Sequence, residues 1–337
     1  MRLILFLIVG CLFGLSRPAG ADVLQTMDID AVERSYLLHL PTDPDDGPIP
    51  LVMAFHGGGG SAASFRKLTG LNDAADEHGF AVAYLQADNA NGQAIWGTYR
   101  DTTGDPAADL AFVDALIPEL VGNHGLDPAR VYATGLSNGG EMSFLLGLTR
   151  PDTIAAIAPV GMHLTPALTE NTSPSRPIPT LNIVGWEDPQ VPFDGGTIAA
   201  SGDAVLSSAE TLAFLRTLNG VADQTVEITM LPDTADDGTT SVRNAFHAVG
   251  PNEADLQRIT VIGGGHTWPG SPVNVDESLL GLTAQDFNAN DQIWAFFQTQ
   301  AIPEPGSAVL MLLGAGTLFL QRRTLLPRSR KKRRVSY

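Results

Sequence analysis

Short apolar runs that alternate with stretches of helical spacing constrain this chain more than any other feature. Leu51-Val52-Met53-Ala54-Phe55 and Phe80-Ala81-Val82-Ala83-Tyr84-Leu85 are continuously apolar, as parallel strands covered on both faces are. Arg130 to Thr134, Thr153 to Val160, Thr180 to Val184 and Leu256 to Ile262 read as further strands. Between them, Ser64 to His78, Ala107 to His124 and Ser207 to Leu218 have helical spacing, the second strained by Pro118, and Asp291 to Gln298 makes a closing helix. Val32 to Leu40 predicts a strand near the sheet edge and Thr225 to Leu231 a strand of alternating polarity. This order predicts an α/β fold with a mainly parallel central sheet and helices on both faces. No internal repeat and no long linker divides residues 30–300, so one catalytic-size domain over 22–301 is expected.

The two ends of the 337-residue sequence stand apart from that pattern. Met1-Arg2, the apolar Leu3 to Val9 and then Ala19-Gly20-Ala21 form a basic start, an apolar segment and a small-residue cleavage site. Residues 1–21 are expected to be a secretory signal peptide removed by signal peptidase; as a membrane anchor the apolar run is too short to span a bilayer. The only cysteine, Cys11, falls inside this leader, so the mature chain is expected to have neither a disulfide nor thiol chemistry. Residues 22–303 carry 10 basic against 36 acidic residues, a formal charge of −26. Such a surface repels phosphate backbones and argues against nucleic acid as a partner.

Gly135-Leu136-Ser137-Asn138-Gly139-Gly140 has the form G-x-S-x-G between a predicted strand and a predicted helix. A sharp strand-to-helix turn there projects the Ser137 hydroxyl clear of the sheet, in a conformation that a side chain at either neighbouring glycine would crowd. A serine hydroxyl is a poor nucleophile at neutral pH and needs a base, which in turn needs a carboxylate. Of seven histidines, His266 at the end of Gly263-Gly264-Gly265-His266, directly after the last strand, is best placed as base. His163 is its rival; His39, His78, His124 and His247 occupy ordinary contexts. Asp188 follows the strand ending at Val184 and is the expected acid, with Glu187 and Asp194 as neighbours able to substitute. His56-Gly57-Gly58-Gly59-Gly60 after Phe55 fits half of an oxyanion hole: the amides of Gly57 and Gly58, completed by the amide of Asn138. Trp96 and Trp268 are candidate walls of the substrate pocket, with packing as the competing role. No metal or other cofactor is required, and no ligand motif such as H-E-x-x-H occurs. The acidic loop Asp233 to Asp237 offers calcium ligands or plain solvated charge.

The stretches His56 to Gly59, Asp127 to Gly140, Asp188 to Gly196 and Gly263 to Gly270 resemble the secreted polyhydroxybutyrate depolymerase and feruloyl esterase family of α/β hydrolases over residues 30–300. The resemblance implies Ser137 as nucleophile, His266 as base and Asp188 as its partner, in the chain order of that fold. The chain departs from it at Val184-Gly185-Trp186-Glu187, where relatives commonly carry a His-Gly-Thr type turn, and lacks the cysteines of many relatives. Ile302-Pro303-Glu304-Pro305, the apolar Ala308 to Leu320 and the basic residues from Arg322 to Arg334 resemble a bacterial PEP-CTERM sorting tail over 302–337. That resemblance implies export to the cell surface or beyond, transient membrane anchoring, and removal of the tail by an exosortase-like enzyme. The expected activity is serine carboxylic-ester hydrolysis of a polyhydroxyalkanoate-type polyester or of feruloyl or acetyl esters of polysaccharides. A serine peptidase of the same fold and a non-catalytic surface or matrix protein on the same scaffold are the alternatives.

Overall fold

The structure is a computed structural model and describes residues 24–43, 47–88 and 92–303. The expected leader over 1–21, and all but the first two residues of the expected tail over 302–337, lie outside the described residues. In chain order the elements are β1 (Leu24–Ile29), β2 (Val32–His39), β3 (Ile49–Phe55), α1 (Ala62–Thr69), α2 (Leu71–His78), β4 (Ala81–Leu85), α3 (Ala107–His124), β5 (Leu126–Leu136), α4 (Asn138–Thr149) and β6 (Ala156–Val160). They continue with α5 (Pro166–Asn171), β7 (Thr180–Gly185), β8 (Gly196–Thr197), β9 (Ala204–Val205), α6 (Ser208–Leu218), β10 (Glu227–Met230), β11 (Thr240–Phe246), β12 (Leu256–Ile262), α7 (Glu277–Leu280) and α8 (Ala289–Phe297).

Ten of these strands form one sheet in the order β1-β2-β4-β3-β5-β6-β7-β12-β11-β10, while β8 and β9 pair in a separate small hairpin. The six central strands from β4 to β12 run parallel, and the strands beyond them on both sides are antiparallel. This is the mainly parallel α/β sheet that the alternation predicts. The period of two along a strand sends neighbouring side chains to opposite faces. Accordingly, Leu51, Met53 and Phe55 of β3 join one apolar core with residues of α3 and α4, including Phe112, Leu116, Phe144 and Leu146. Val52 and Ala54 join the other, with Phe65, Ala74, Trp294 and Phe297 of α1, α2 and α8. Both faces are therefore covered, which is why the inner strands read as unbroken apolar runs.

The expected helix over Ser64 to His78 is two helices, because Gly70 takes φ 62° and its N–H closes α1 on Arg66 O. The expected strand from Thr153 is shorter and begins at Ala156. Strands β1 and β11 carry little apolar alternation in sequence. The first lies at the sheet edge, exposed on one face and half-buried on the other, where Met27 and Ile29 pack against the core, and the second, Thr-Ser-Val-Arg-Asn-Ala-Phe, sits in the antiparallel flank.

Candidate active site

Parallel strands deliver their carboxyl ends to one edge of a sheet, and the segments that follow β3, β5, β6, β7 and β12 meet there. Ser137 lies between β5 and α4 with φ 58° and ψ −123°, a region that costs a non-glycine residue on the order of 1–3 kcal/mol and persists only when surroundings enforce it. The enforcement is visible. A Cβ on Gly139 would stand 2.0 Å from Phe55 O, and one on Gly135 would stand 2.4 Å from Gly139 C. Ser137 N–H donates to Val160 O at 2.9 Å, tying the turn to β6.

His266 Nδ1 and Asp188 Oδ2 are 2.7 Å apart, and both side chains are buried. The carboxylate fixes Nδ1–H as the donor and leaves Nε2 as the basic nitrogen. The other oxygen of Asp188 accepts from the amides of Gln190 and Val191 at 2.7 and 2.8 Å, so the carboxylate is held from both sides. The glycines before His266 are there because the backbone passes too close for side chains. A Cβ on Gly265 would meet Leu280 O at 2.0 Å, and one on Gly185 would meet Gly265 O at 2.3 Å. Glu187 N–H donates to Gly264 O at 2.9 Å, joining the loops that carry Asp188 and His266. Gly161 lies between the His266 ring and Leu136, the residue before Ser137: a Cβ on it would lie 3.3 Å from His266 Nδ1 and 3.0 Å from Leu136 Cδ1. Among the described residues no hydrogen bond joins Ser137 Oγ to the ring; such contacts are often loose until substrate is bound.

The glycine loop after β3 lies against the same serine. A Cβ on Gly57 would be 3.5 Å from Ser137 Cβ, and one on Gly58 would be 3.8 Å from Asn138 Cβ. Gly58, Ser137 and Asn138 line a cleft of about 850 Å³, and the Gly57 carbonyl accepts from Gly60 N–H and from His56 Nδ1 at 2.9 and 2.7 Å. The amide of Asn138 opens α4 and belongs to the helix N–H groups that have no partner within the helix.

Trp96 and Trp268 require a correction: both are fully buried, and neither lines the cleft. Trp96 is a brace instead. Its indole N–H donates to His56 O at 2.9 Å, and its backbone N–H and C=O take both ends of the Asn138 amide at 2.8 and 3.1 Å. Trp268 donates to Asn290 Oδ1 at 3.0 Å and stands edge-on to Phe65. Indole rings are large enough to serve as core, and one partner for the N–H suffices for burial.

Several residues at the site escape sequence reasoning. His56 Nε2 accepts from the Ala87 amide at 3.1 Å while Nδ1 donates to Gly57 O, so this neutral ring clamps the glycine loop; burial holds its pKa below the usual histidine value. Arg100 lines the cleft and is paired with Glu141 and Asp203. Burial pushes the Glu141 carboxyl up, opposed by Arg100 and by hydroxyls of Thr98 and Thr165. For Asp203 burial is outweighed by hydrogen bonds from Thr102 and Ser201 and by the Arg100 charge, which keep its pKa low. His163, the rival base, is buried after β6 and is not hydrogen-bonded to Asp188 at Nδ1. Within the acidic loop, Asp237 accepts from Thr239 and from the Gln285 amide. Among the described residues no cluster of three or more His, Cys, Asp or Glu is arranged to hold a metal ion, and no helix is long and apolar enough to cross a membrane.

Residues 34–191 match the family described as "Esterase PHB depolymerase". The protein named "Putative esterase NocK" of Nocardia uniformis subsp. tsuyamanensis is 37% identical over 273 residues, covering 77% of this chain and 77% of that one. Feruloyl esterase B of Piromyces equi is 34% identical over 154 residues, covering 45% of this chain and 28% of its own length. Among solved structures, an acetyl xylan esterase from Aspergillus awamori shares the fold with a TM-score of 0.56 at 16% identity, over 82% of this chain and 99% of that one.

Proposed function

The chain belongs to the esterase PHB depolymerase family and is a carboxylic-ester hydrolase, and from that premise we propose that Ser137 is its nucleophile, His266 its general base and Asp188 the carboxylate that orients the ring. The observation that carries this reading is the strained turn at Ser137 on the same sheet edge as the 2.7 Å Asp188–His266 pair. In the first half-reaction Ser137 Oγ bonds to the ester carbonyl carbon while its proton passes to His266 Nε2. The carbonyl oxygen becomes an oxyanion, stabilised by the amides of Gly57, Gly58 and Asn138. The C–O bond to the alcohol then breaks, and the alcohol leaves with the proton held on His266. In the second half-reaction water gives its proton to His266 and attacks the acyl-serine carbon, which releases the acid and restores Ser137. Asp188 stays ionised throughout and balances the imidazolium.

The substrates in this reading are polyhydroxyalkanoate-type polyesters or feruloyl and acetyl esters of polysaccharides, met outside the cytoplasm after export and removal of the sorting tail. Ser137→Ala tests the nucleophile. Hydrolysis of p-nitrophenyl acetate is expected to fall by on the order of 10⁴–10⁶ in kcat, with loss of fluorophosphonate labelling; activity retained within tenfold rejects the assignment. Mass spectrometry of material recovered outside the cell tests the tail, since a peptide reaching Tyr337 contradicts its removal.

A further inference from the structure

An ester has two halves, and the tetrahedral carbon formed at Ser137 sends them in different directions. One of its four bonds goes to Ser137 Oγ, one to the oxyanion facing the amides of Gly57, Gly58 and Asn138, one to the leaving oxygen and one to the acyl chain. The leaving oxygen must come within hydrogen-bond reach of His266 Nε2, because that nitrogen delivers the proton with which the alcohol departs. The alcohol is thereby committed to the His266 side, and the acyl chain takes the direction that remains.

The cleft of about 850 Å³ lies to one side of this arrangement. Among the described residues its lining includes Ser137 and the oxyanion residues Gly58 and Asn138, and no residue of the loops 186–194 and 263–270 that carry Asp188 and His266. Those two loops are joined directly, by Glu187 N–H on Gly264 O at 2.9 Å, and Gln190 Nε2 reaches across to Leu279 O at 3.1 Å. Trp186 and Leu279, at the ends of this joint, are exposed, so the His266 side presents open surface. Beside the nucleophile the cleft is apolar. A Cβ on Gly58 would lie 3.9 Å from Ile95 Cγ1, and one on Gly140, in the first turn of α4, 3.1 Å from Met162 Cβ. Met162 and Ile198 also pack with Val191 and Val205 in a small apolar cluster. Arg100, the one charged residue of the lining, is paired with Glu141 and Asp203 and leaves no surplus charge for an ionic chain. Gln93 and Ala200 line the cleft and are exposed, one in the loop after β4 and the other in the β8–β9 turn. A cleft of this volume holds a group many times the size of an acetyl.

We propose that the cleft is the acyl-binding side of the active site, that Gln93 and Ala200 are specificity-determining residues that limit how large the acid can be, and that the alcohol lies on the open surface beside His266. The inference rests on the esterase reading of Ser137 and His266 and assigns the two halves of the substrate to their places. Ethyl hexanoate and hexyl acetate test it, because they are isomers with alkoxide leaving groups of like basicity and differ in which half is long. Each methylene moved from water onto an apolar wall is worth up to about fourfold, so kcat/KM of the wild-type protein, followed by titration of the released acid, is expected to be at least about tenfold higher for ethyl hexanoate. Ala200→Trp and, separately, Gln93→Trp obstruct the cleft from segments far apart in the chain; each is expected to lower that ratio at least about threefold, through ethyl hexanoate. A wild-type ratio near one, or faster hydrolysis of hexyl acetate, overturns the proposal. So does a loss confined to hexyl acetate in the variants, which puts the alcohol in the cleft, and so does a ratio that neither variant changes. Wild-type protein that hydrolyses neither isomer nor p-nitrophenyl acetate fails the esterase reading itself, an outcome distinct from hydrolysis without preference.

Discussion

Two buried imidazoles feel the charge of Asp188, and they differ in almost everything except burial. His266 sits in a glycine loop after β12 with Nδ1 bonded to the carboxylate at 2.7 Å. His163 follows β6, is 1% exposed, stands edge-on to Phe193 at 6.0 Å between ring centroids, and has no partner for Nδ1 among the described residues. Burial pushes the pKa of His163 down to about 4; Asp188 opposes that fall and Arg258 adds to it. A ring in that state is a poor proton acceptor near neutral pH, since general bases work best with pKa values near the working pH. A hydrogen-bonded carboxylate is what sets His266 apart from His163 at this sheet edge.

The largest effect expected from this contrast is at His266. His266→Ala should lower kcat for p-nitrophenyl acetate by on the order of 10⁴–10⁶, as removal of a triad base does, while His163→Gln should remain within about tenfold of the wild type. Steady-state kinetics on the two purified variants decides, and a His163→Gln loss as deep as that of His266→Ala inverts the assignment. Next in size is Asp188→Asn, expected to cost about 10⁴ in kcat. The amide can donate to Nδ1 and stabilise the tautomer in which Nε2 carries the proton and is no longer basic. The neighbouring carboxylate of Glu187 is exposed, and Glu187→Gln should leave kcat within about threefold. A small effect at Asp188 paired with a large one at Glu187 would move the acid by one residue.

The distinction between the two histidines is partly legible in the sequence. Gly263-Gly264-Gly265 directly before His266 marks a loop where backbones touch, and the 2.0 Å approach of a would-be Cβ on Gly265 to Leu280 O is the physical form of that signal. Likewise the glycines around Ser137 announce the turn that Phe55 O and His56 O enforce, and the unbroken apolar runs of β3 and β4 announce a sheet covered on both faces. The braces are not legible. Trp96 resembles a pocket wall because an aromatic residue in a Gly- and Asn-rich loop reads the same whether it faces a ligand or a core. Only the three-dimensional path that brings Asn138 across to its backbone separates the two readings. Arg100, Glu141 and Asp203 are far apart in the chain, and no local spacing marks three charges that pair only after folding. The antiparallel flank is hidden in part for a different reason: β1 is an edge strand half-buried on one face, where only Met27 and Ile29 are apolar, so its sequence carries a weak alternation.

The smallest expected effect lies in stability rather than rate, and it isolates His163. Its folded pKa, about 4, is below the ordinary histidine value of 6.5, so between those pH values the unfolded chain binds a proton that the folded protein excludes. Stability from this group is therefore undiminished above pH 6.5 and falls as the pH drops toward 4. Each tenfold weakening of proton affinity is worth about 1.4 kcal/mol, so the loss at pH 4.5 is on the order of 2–3 kcal/mol. Carboxylates that lose their pairings in acid weaken the wild type and His163→Gln alike and cancel in the difference. Urea unfolding of both proteins at pH 7 and pH 4.5 should then show the wild type losing about 2–3 kcal/mol more than the variant on acidification. Equal losses in the two proteins would mean that the ring is paired in solution, and the contrast with His266 would rest on position alone.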